Sequence, residues 1–294
     1  MKKINKNFIV RPRNLIAGWA AYDNAINNLF TLKHWPKNPS SIYSSHIVTD
    51  KLDEIYNLKC AFCNQIPKGS PLQVEHFRPK NGITGELHTG YYWLGYEWTN
   101  LLYACGNCNS TKGNNFQLRV GVARIPGPTI IGTSFDLHDC KCFSKILRAE
   151  KFMLINPEID NPDDHLFYLA DGRVGFKTNR GEYSIEKFGL NRDELYLNGR
   201  KQLLDSIIEK FARRLERYTN RTRSFSEVAD DIIDIIKEEI LAPIENNGSF
   251  DHFRYIVYCN YDKYILPRFG IPAQKCILNF IFQELKRGLI VKLK

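Results

Sequence analysis

The chain has 294 residues, of which 43% are hydrophobic, 13% aromatic and 25% charged. This excludes a disordered or collagen-like chain and allows one large domain or two ordinary ones. Its 41 Lys and Arg against 32 Asp and Glu give a net charge of +9, which favours an anionic partner, most often nucleic acid. No apolar run approaches the roughly 18–20 residues a membrane helix needs, and Arg11, Pro12 and Arg13 cut the short Phe8-Ile9-Val10 run, so the chain reads as cytoplasmic with no membrane partner.

The first 13 residues carry Lys2, Lys3, Lys6, Arg11 and Arg13 without an acid, which fits either a basic arm or a solvated terminus. Trp19, Tyr22, Ile26 and Phe30 recur at helical spacing, and a second helix is expected near 47 to 58. From Lys59 to about Gly121 the chain turns to Cys, Gly, Asn and aromatics with short apolar runs, the texture of a small metal-tied ββα unit. Turn signals dominate 126 to 180, and helical periodicity returns after about 184. There Leu204, Ile207, Ile208, Phe211, Leu215 and Tyr218 form an apolar stripe, with Lys210, Arg214, Arg217 and Arg221 on another face. Ser226 is a candidate cap for the next helix, which carries Asp230, Asp231, Asp234, Glu238 and Glu239. The expected divisions are 1–58, a basic arm and covering helices; 59–185, the metal-tied unit and the loops after it; and 186–294, a helical region. The fold class is α+β within a mostly helical chain.

Two Cys-x-x-Cys pairs, Cys60 with Cys63 and Cys105 with Cys108, supply four soft thiolates, the donor set of a closed structural zinc site. Such a site leaves no open coordination position and serves stability rather than catalysis. Cys140 and Cys142 beside His138 lack a fourth ligand and read as structural, and Cys259 and Cys276 lie in helical patterns and read as core. Between the knuckles stand Glu75 and His76, then Asn100, and Asn109 follows the last cysteine. A carboxylate, an imidazole and amide oxygens brought to one cleft would provide a general base and hard ligands for a divalent ion, the set that phosphodiester hydrolysis needs.

In the order Cys60…Cys63, Glu75-His76, Asn100, Cys105…Cys108-Asn109, the segment from Cys60 to about Asn115 resembles the HNH endonuclease superfamily, in the subset whose ββα-metal core is braced by two zinc knuckles. The resemblance implies a metal-dependent endonuclease that leaves a 5′-phosphate and a 3′-hydroxyl. His76 would activate water, Asn100 would orient the loop and the base, and Glu75 and Asn109 would hold the catalytic Mg²⁺ or Mn²⁺. Glu75 stands where that family has Asp or His. Arg78 and Lys112 are candidate phosphate contacts. Tyr91, Tyr92, Trp93, Tyr96 and Trp98 suit either base stacking or packing against the N-terminal helices.

A narrower resemblance rests on Glu75-His76-Phe77-Arg78-Pro79-Lys80, the string from Tyr92 to Leu102, Ile155-Asn156-Pro157 with Asp160 and His165-Leu166, and Phe188-Gly189-Leu190-Asn191-Arg192. Over roughly residues 55 to 205 these are similar to the PtuB-type HNH effectors of Septu and retron-associated anti-phage systems. This implies degradation of nucleic acid, with DNA the leading substrate, in concert with a PtuA-type ABC-like ATPase, and Asp160 and His165 shaping the active-site side. The helices beyond 205 would then be a docking surface. The competing reading is a non-catalytic zinc-ribbon module that binds nucleic acid through the basic helix at 210 to 221.

Overall fold

The structure, a computed structural model, describes residues 1–289; the last five positions of the expected 186–294 region lie outside the described residues. Contacts divide the chain into two units. The first takes Met1–Phe167 and Phe176–Leu190, and the second takes Tyr168–Gly175 and the chain from Asn191 on. Residues 1–58 therefore belong to the same unit as the cysteine-rich region instead of standing apart from it.

The first unit begins with α1 (Ala20–Leu32) and α2 (His46–Tyr56), whose apolar faces bury Tyr22, Ile26 and Leu29, and Val48, Leu52 and Tyr56. The paired strands β1 (Gln73–His76) and β2 (Leu101–Ala104) follow, antiparallel, with Glu75 opposite Leu102 and His76 opposite Leu101. Helix α3 (Gly106–Lys112) leaves directly from β2 and packs on β1, which completes a ββα arrangement. The long excursion between the strands holds two 3₁₀ turns, Tyr92–Leu94 and Trp98–Asn100. Its aromatics Tyr91, Tyr92, Trp93, Tyr96 and Trp98 are all buried, so they pack and are not presented for base stacking. Beyond lie the small pair β3 (Ile130–Ile131) and β4 (Ser134–Phe135), and the short helix α4 (Lys145–Ala149). The pair β5 (Leu166–Tyr168) and β6 (Val174–Phe176) precedes α5 (Asn179–Lys187).

The second unit is helical: α6 (Gln202–Thr219), α7 (Phe225–Ile236), α8 (Ala242–Glu245), α9 (Asp251–Cys259), α10 (Tyr261–Tyr264) and α11 (Pro272–Leu289). Leu204, Ile207, Phe211 and Leu215 of the expected stripe are buried. Ser224, not Ser226, caps α7, in a box completed by Glu227. The basic face of α6 meets acids of the following helical stretch: Arg214 lies 3.1 Å from Asp231, and Lys210 pairs with Glu239. Two of the four basic residues on that face, Lys210 and Arg214, are thereby neutralised internally. Cys276, expected in the core, is exposed.

The N-terminal segment is not a free arm. Lys6 is buried, donating to the carbonyls of Trp98 (2.8 Å) and Leu101 (2.5 Å), with its ammonium 3.8 Å from the centre of the Trp98 ring. Its counter-charge is the buried Glu158 carboxylate at 3.1 Å, which also accepts the Tyr56 hydroxyl. Burial pulls the Lys6 pKa down and pushes that of Glu158 up, each toward its neutral form, and their mutual attraction opposes both shifts. Removing one partner strands the other charge, so Glu158→Ala is expected to lower stability by about 3–5 kcal/mol in urea unfolding.

Candidate active site

Each cysteine knuckle is built from backbone first. In the first, Asn64 adopts a left-handed conformation (φ 60°) and its amide donates to Cys60 O at 3.0 Å, while the Ala61 amide donates to Tyr103 O at 2.8 Å and ties the turn to β2. In the second, Cys105 is the residue before α3 and Cys108 lies one turn into it, with the Asn109 amide donating to Cys105 O at 2.9 Å. The four sulfurs are buried and lie within 4.8 Å of one another, Cys63 and Cys105 at 3.9 Å, and no disulfide joins them. Hydrogen bonds from the Cys108, Cys60 and Cys63 thiols hold Cys105 well below the usual thiol range. The cluster fits a tetrahedral ion such as zinc in donor type and closure. Among the described residues no other such cluster occurs, and Cys140 and Cys142 are buried without one.

The clip carries the cleft with it, because the helix that follows Cys105 presents Asn109 and Lys112 to the end of β1. Glu75 and His76 are neighbours on a strand, so their side chains leave on opposite faces. Glu75 turns toward α3 and accepts from Lys112 Nζ at 2.6 Å. His76 turns toward Trp35 and Tyr43, its ring centre 6.0 and 5.0 Å from theirs. At the strand's end both border a cleft of about 270 Å³ that also includes Lys80, Asn109 and Lys112.

His76 is buried, and its Nε2 lies 2.8 Å from Gly95 O. A carbonyl only accepts, so Nε2 carries the proton and Nδ1 carries the lone pair. Lys80 Nζ donates to that Nδ1 at 3.2 Å. Burial and the Lys80 charge push the His76 pKa well below its usual value, which keeps the ring neutral at neutral pH, with Nδ1 unprotonated. Asn100, fully buried, never reaches the cleft. Its Oδ1 accepts the Arg78 amide (2.8 Å) and its Nδ2 donates to Arg78 O (3.1 Å) and Leu94 O (3.3 Å), clasping the end of β1 to the turn that supplies Gly95. Asn109 Nδ2 donates to Gln73 Oε1 at 2.8 Å, which leaves its amide oxygen as the donor atom for a cation.

The two expected phosphate contacts fare differently from expectation. Arg78 is completely buried among the Tyr91, Phe116 and Phe152 rings, paired with Glu150 and donating to Leu147 O at 2.6 Å. It faces the core and not the cleft, so it is a structural cation. Lys112 borders the cleft but is also completely buried, held by Glu75 and by His76 O at 3.0 Å. Asp160 and His165 are elsewhere. Asp160 takes both ends of the Arg180 guanidinium (2.9 and 2.6 Å), and His165 lines a second cavity of about 590 Å³ with Arg180, Met153 and Thr178, none of which borders the Glu75–His76 cleft. Sequence reasoning missed Lys80, Trp35 and Tyr43. Lys80 had a signal in its spacing from His76, whereas the two aromatics arrive from a distant segment with none.

Taken together, the first unit is a ββα motif braced by a four-cysteine clip, with a histidine, a carboxylate and an amide around one cleft. No family model and no solved structure matches the sequence. It is 32% identical to the Septu protein PtuB of Bacillus mycoides (strain KBAB4) over 185 residues, 59% of this chain and 57% of that protein, and 25% identical to the PtuB of Bacillus thuringiensis over 186 residues, 63% and 56%. It is also 31% identical to a 145-residue stretch of the Septu protein PtuA of the B. mycoides strain, 48% of this chain and 18% of that protein. The chain is PtuB-like in sequence, and it spans a little over half the length of the PtuB relatives it matches.

Two outcomes follow from the geometry. Cys108→Ser is expected to abolish stoichiometric zinc on metal analysis and to cost the first unit its cooperative melting transition, since the clip anchors α3. A methyl at Gly95 would lie 1.9 Å from Trp35 Cζ3, so Gly95→Ala is expected to lower stability by about 1–3 kcal/mol on thermal or urea unfolding, with unaltered zinc content.

Proposed function

We propose that this chain is a metal-dependent HNH-type endonuclease, with DNA the leading substrate, serving as the nuclease of a Septu-type anti-phage defence system. The observation that carries the reading is the His76 imidazole: its Nε2–H is fixed on Gly95 O, its Nδ1 carries the lone pair that Lys80 meets, and the residue lines a cleft with Glu75 and Asn109. That is the arrangement of a general base beside hard oxygen donors.

In this mechanism His76 Nδ1 takes a proton from a water, whose oxygen forms a bond to phosphorus as the bond from phosphorus to the 3′-oxygen breaks. The departing 3′-oxygen takes a proton from solvent water, so the products carry a 5′-phosphate and a 3′-hydroxyl. Glu75 and the Asn109 amide oxygen would hold Mg²⁺ or Mn²⁺, few ligands being sufficient for such an ion. A divalent ion supplies positive charge to the phosphate and leaving oxygens. Lys112 balances the buried Glu75 carboxylate and, through His76 O, holds the base-bearing backbone. Asn100 is a positioning residue, acting on His76 through the strand end and the Gly95 turn. The cysteine clip, with zinc bound, keeps α3 in register with β1.

A PtuA-type ABC-like ATPase is the partner this reading assigns. What supports it is the similarity of part of this chain to a stretch of a Septu protein PtuA. The neutralisation of Lys210 and Arg214 by Glu239 and Asp231 weighs against the alternative of a binding module built on that helix.

The test is cleavage of supercoiled plasmid in Mg²⁺, Mn²⁺ or EDTA, with and without the co-purified ATPase. Cleavage should require the divalent ion, and His76→Ala should reduce it by about 10²–10⁴ while the protein stays folded with wild-type zinc content. A His76→Ala protein that cleaves like the wild type would sink the proposal.

A further inference from the structure

The cleft holds one cation, Lys80, that the Glu75 carboxylate attracts only at a distance, with no acid in contact among the described residues. Arg78 is neutralised by Glu150 in the core, and Lys112 by Glu75. Lys80 has no ion-pair partner among the described residues. Its ammonium, half-buried on the cleft wall, meets a neutral ring nitrogen at 3.2 Å and the faces of Trp35 and Tyr43 at 5.5 and 5.6 Å. Its protein neighbours are one neutral acceptor and two π faces, and an anionic oxygen would add a charge-assisted hydrogen bond. The backbone at this position is also specified. Gly90 (φ +81°) packs so closely against Lys80 and its successors that a Cβ there would sit 2.7 Å from Lys80 C, and the Tyr91 amide donates to Pro79 O at 2.7 Å.

We propose that Lys80 is the phosphate ligand of the cleft: its ammonium binds a non-bridging oxygen of the scissile phosphodiester, and without substrate it caps the His76 Nδ1 lone pair. This rests on the hydrolytic reading above and names the residue that recognises the phosphate. Entry of a phosphodiester draws the ammonium from the imidazole to the phosphate oxygen, which frees Nδ1 for water in the same movement that places phosphorus beside it. The cap and the ligand are then one group in two positions.

The test has two arms on the full chain. In EDTA, acetylation of Lys80 by an N-hydroxysuccinimide ester is read by peptide mass spectrometry with and without a short DNA duplex, with thymidine as the control. Duplex should lower Lys80 labelling by about fivefold or more and thymidine should not, as expected of a phosphate contact. In the second arm, Lys80→Met and Lys80→Arg are compared in plasmid cleavage under Mg²⁺, both checked for wild-type zinc content and melting. Lys80→Met should lose about 10²-fold in kcat with KM changed less than threefold, and Lys80→Arg should recover part of kcat, as expected of a contact strongest in the transition state. Unprotected Lys80, or a Lys80→Met protein with wild-type kcat, overturns the proposal even when the wild type cleaves. Protection of Lys80 in a wild type that never cleaves, with the ATPase present, retires the hydrolytic reading and leaves the phosphate contact standing.

Discussion

Four buried sulfur atoms drawn within 4.8 Å of one another are the constraint on which the first unit turns. Thiolates at that distance repel, and protonated thiols give little in return, so the arrangement has its full value only around a cation. The residues that the clip joins are far apart in sequence: one knuckle follows α2, and the other is the first turn of α3. Closing it fixes where β2 ends and α3 begins, and hence where Asn109 and Lys112 stand relative to Glu75. The cleft has little independent rigidity, since β1 and β2 are only four residues each and joined by a long excursion. Two short strands alone would be marginal in water. The clip on one side and the Asn100 clasp on the other supply what the sheet does not.

Three deeply buried cations of this unit are each paired with a carboxylate. Lys6 has Glu158, Arg78 has Glu150, and Lys112 has Glu75. Such pairs are weak sources of net stability, because desolvation offsets attraction, but losing half of one is costly. They therefore act as registers. Lys6 fixes the N-terminal segment to the carbonyls of Trp98 and Leu101, beside Asn100, and Arg78 fixes the residue after His76 and Phe77 to the segment near α4. Lys80 differs from these three, set at the cleft and facing a neutral base. A cation beside the base with no carboxylate in contact is where an external anion belongs.

Much of this was legible in the sequence. Two knuckles of fixed spacing, with Glu75-His76 before the second and Asn109 just after it, announce a clip and a cleft because the spacing itself is geometric. The helical stripes at 20 to 32 and 202 to 219 are legible for the same reason, through their 3.6-residue period. Direction was not legible. Arg78 and Lys80 both follow a strand by a few residues and carry the same charge, yet one points into the core and the other lines the cleft. The outcome depends on where Glu150 lies, a residue brought near only by tertiary structure. Lys6 was hidden likewise, since its carboxylate lies 152 positions away in the chain and no local pattern couples them. Cys276 failed in the other direction, because its helical pattern was right but the face it occupies is exposed.

The Asp160–Arg180–His165 cluster shows how a motif can be both specific and remote from the chemistry. Asp160 accepts the Asn156 amide and grips Arg180, and Arg180 in turn donates to Leu154 O at 2.9 Å and stacks 5.2 Å from Phe152. Phe152 is one of the rings around Arg78, which lies in the same strand end as His76. A packed chain of contacts thus runs from the second cavity, through Phe152 and Arg78, to Asn100 and the Gly95 turn that orients the base. Each link holds a backbone position rather than a reacting atom. That explains why residues so distinctive in sequence border no part of the cleft: they set the frame on which its geometry is built.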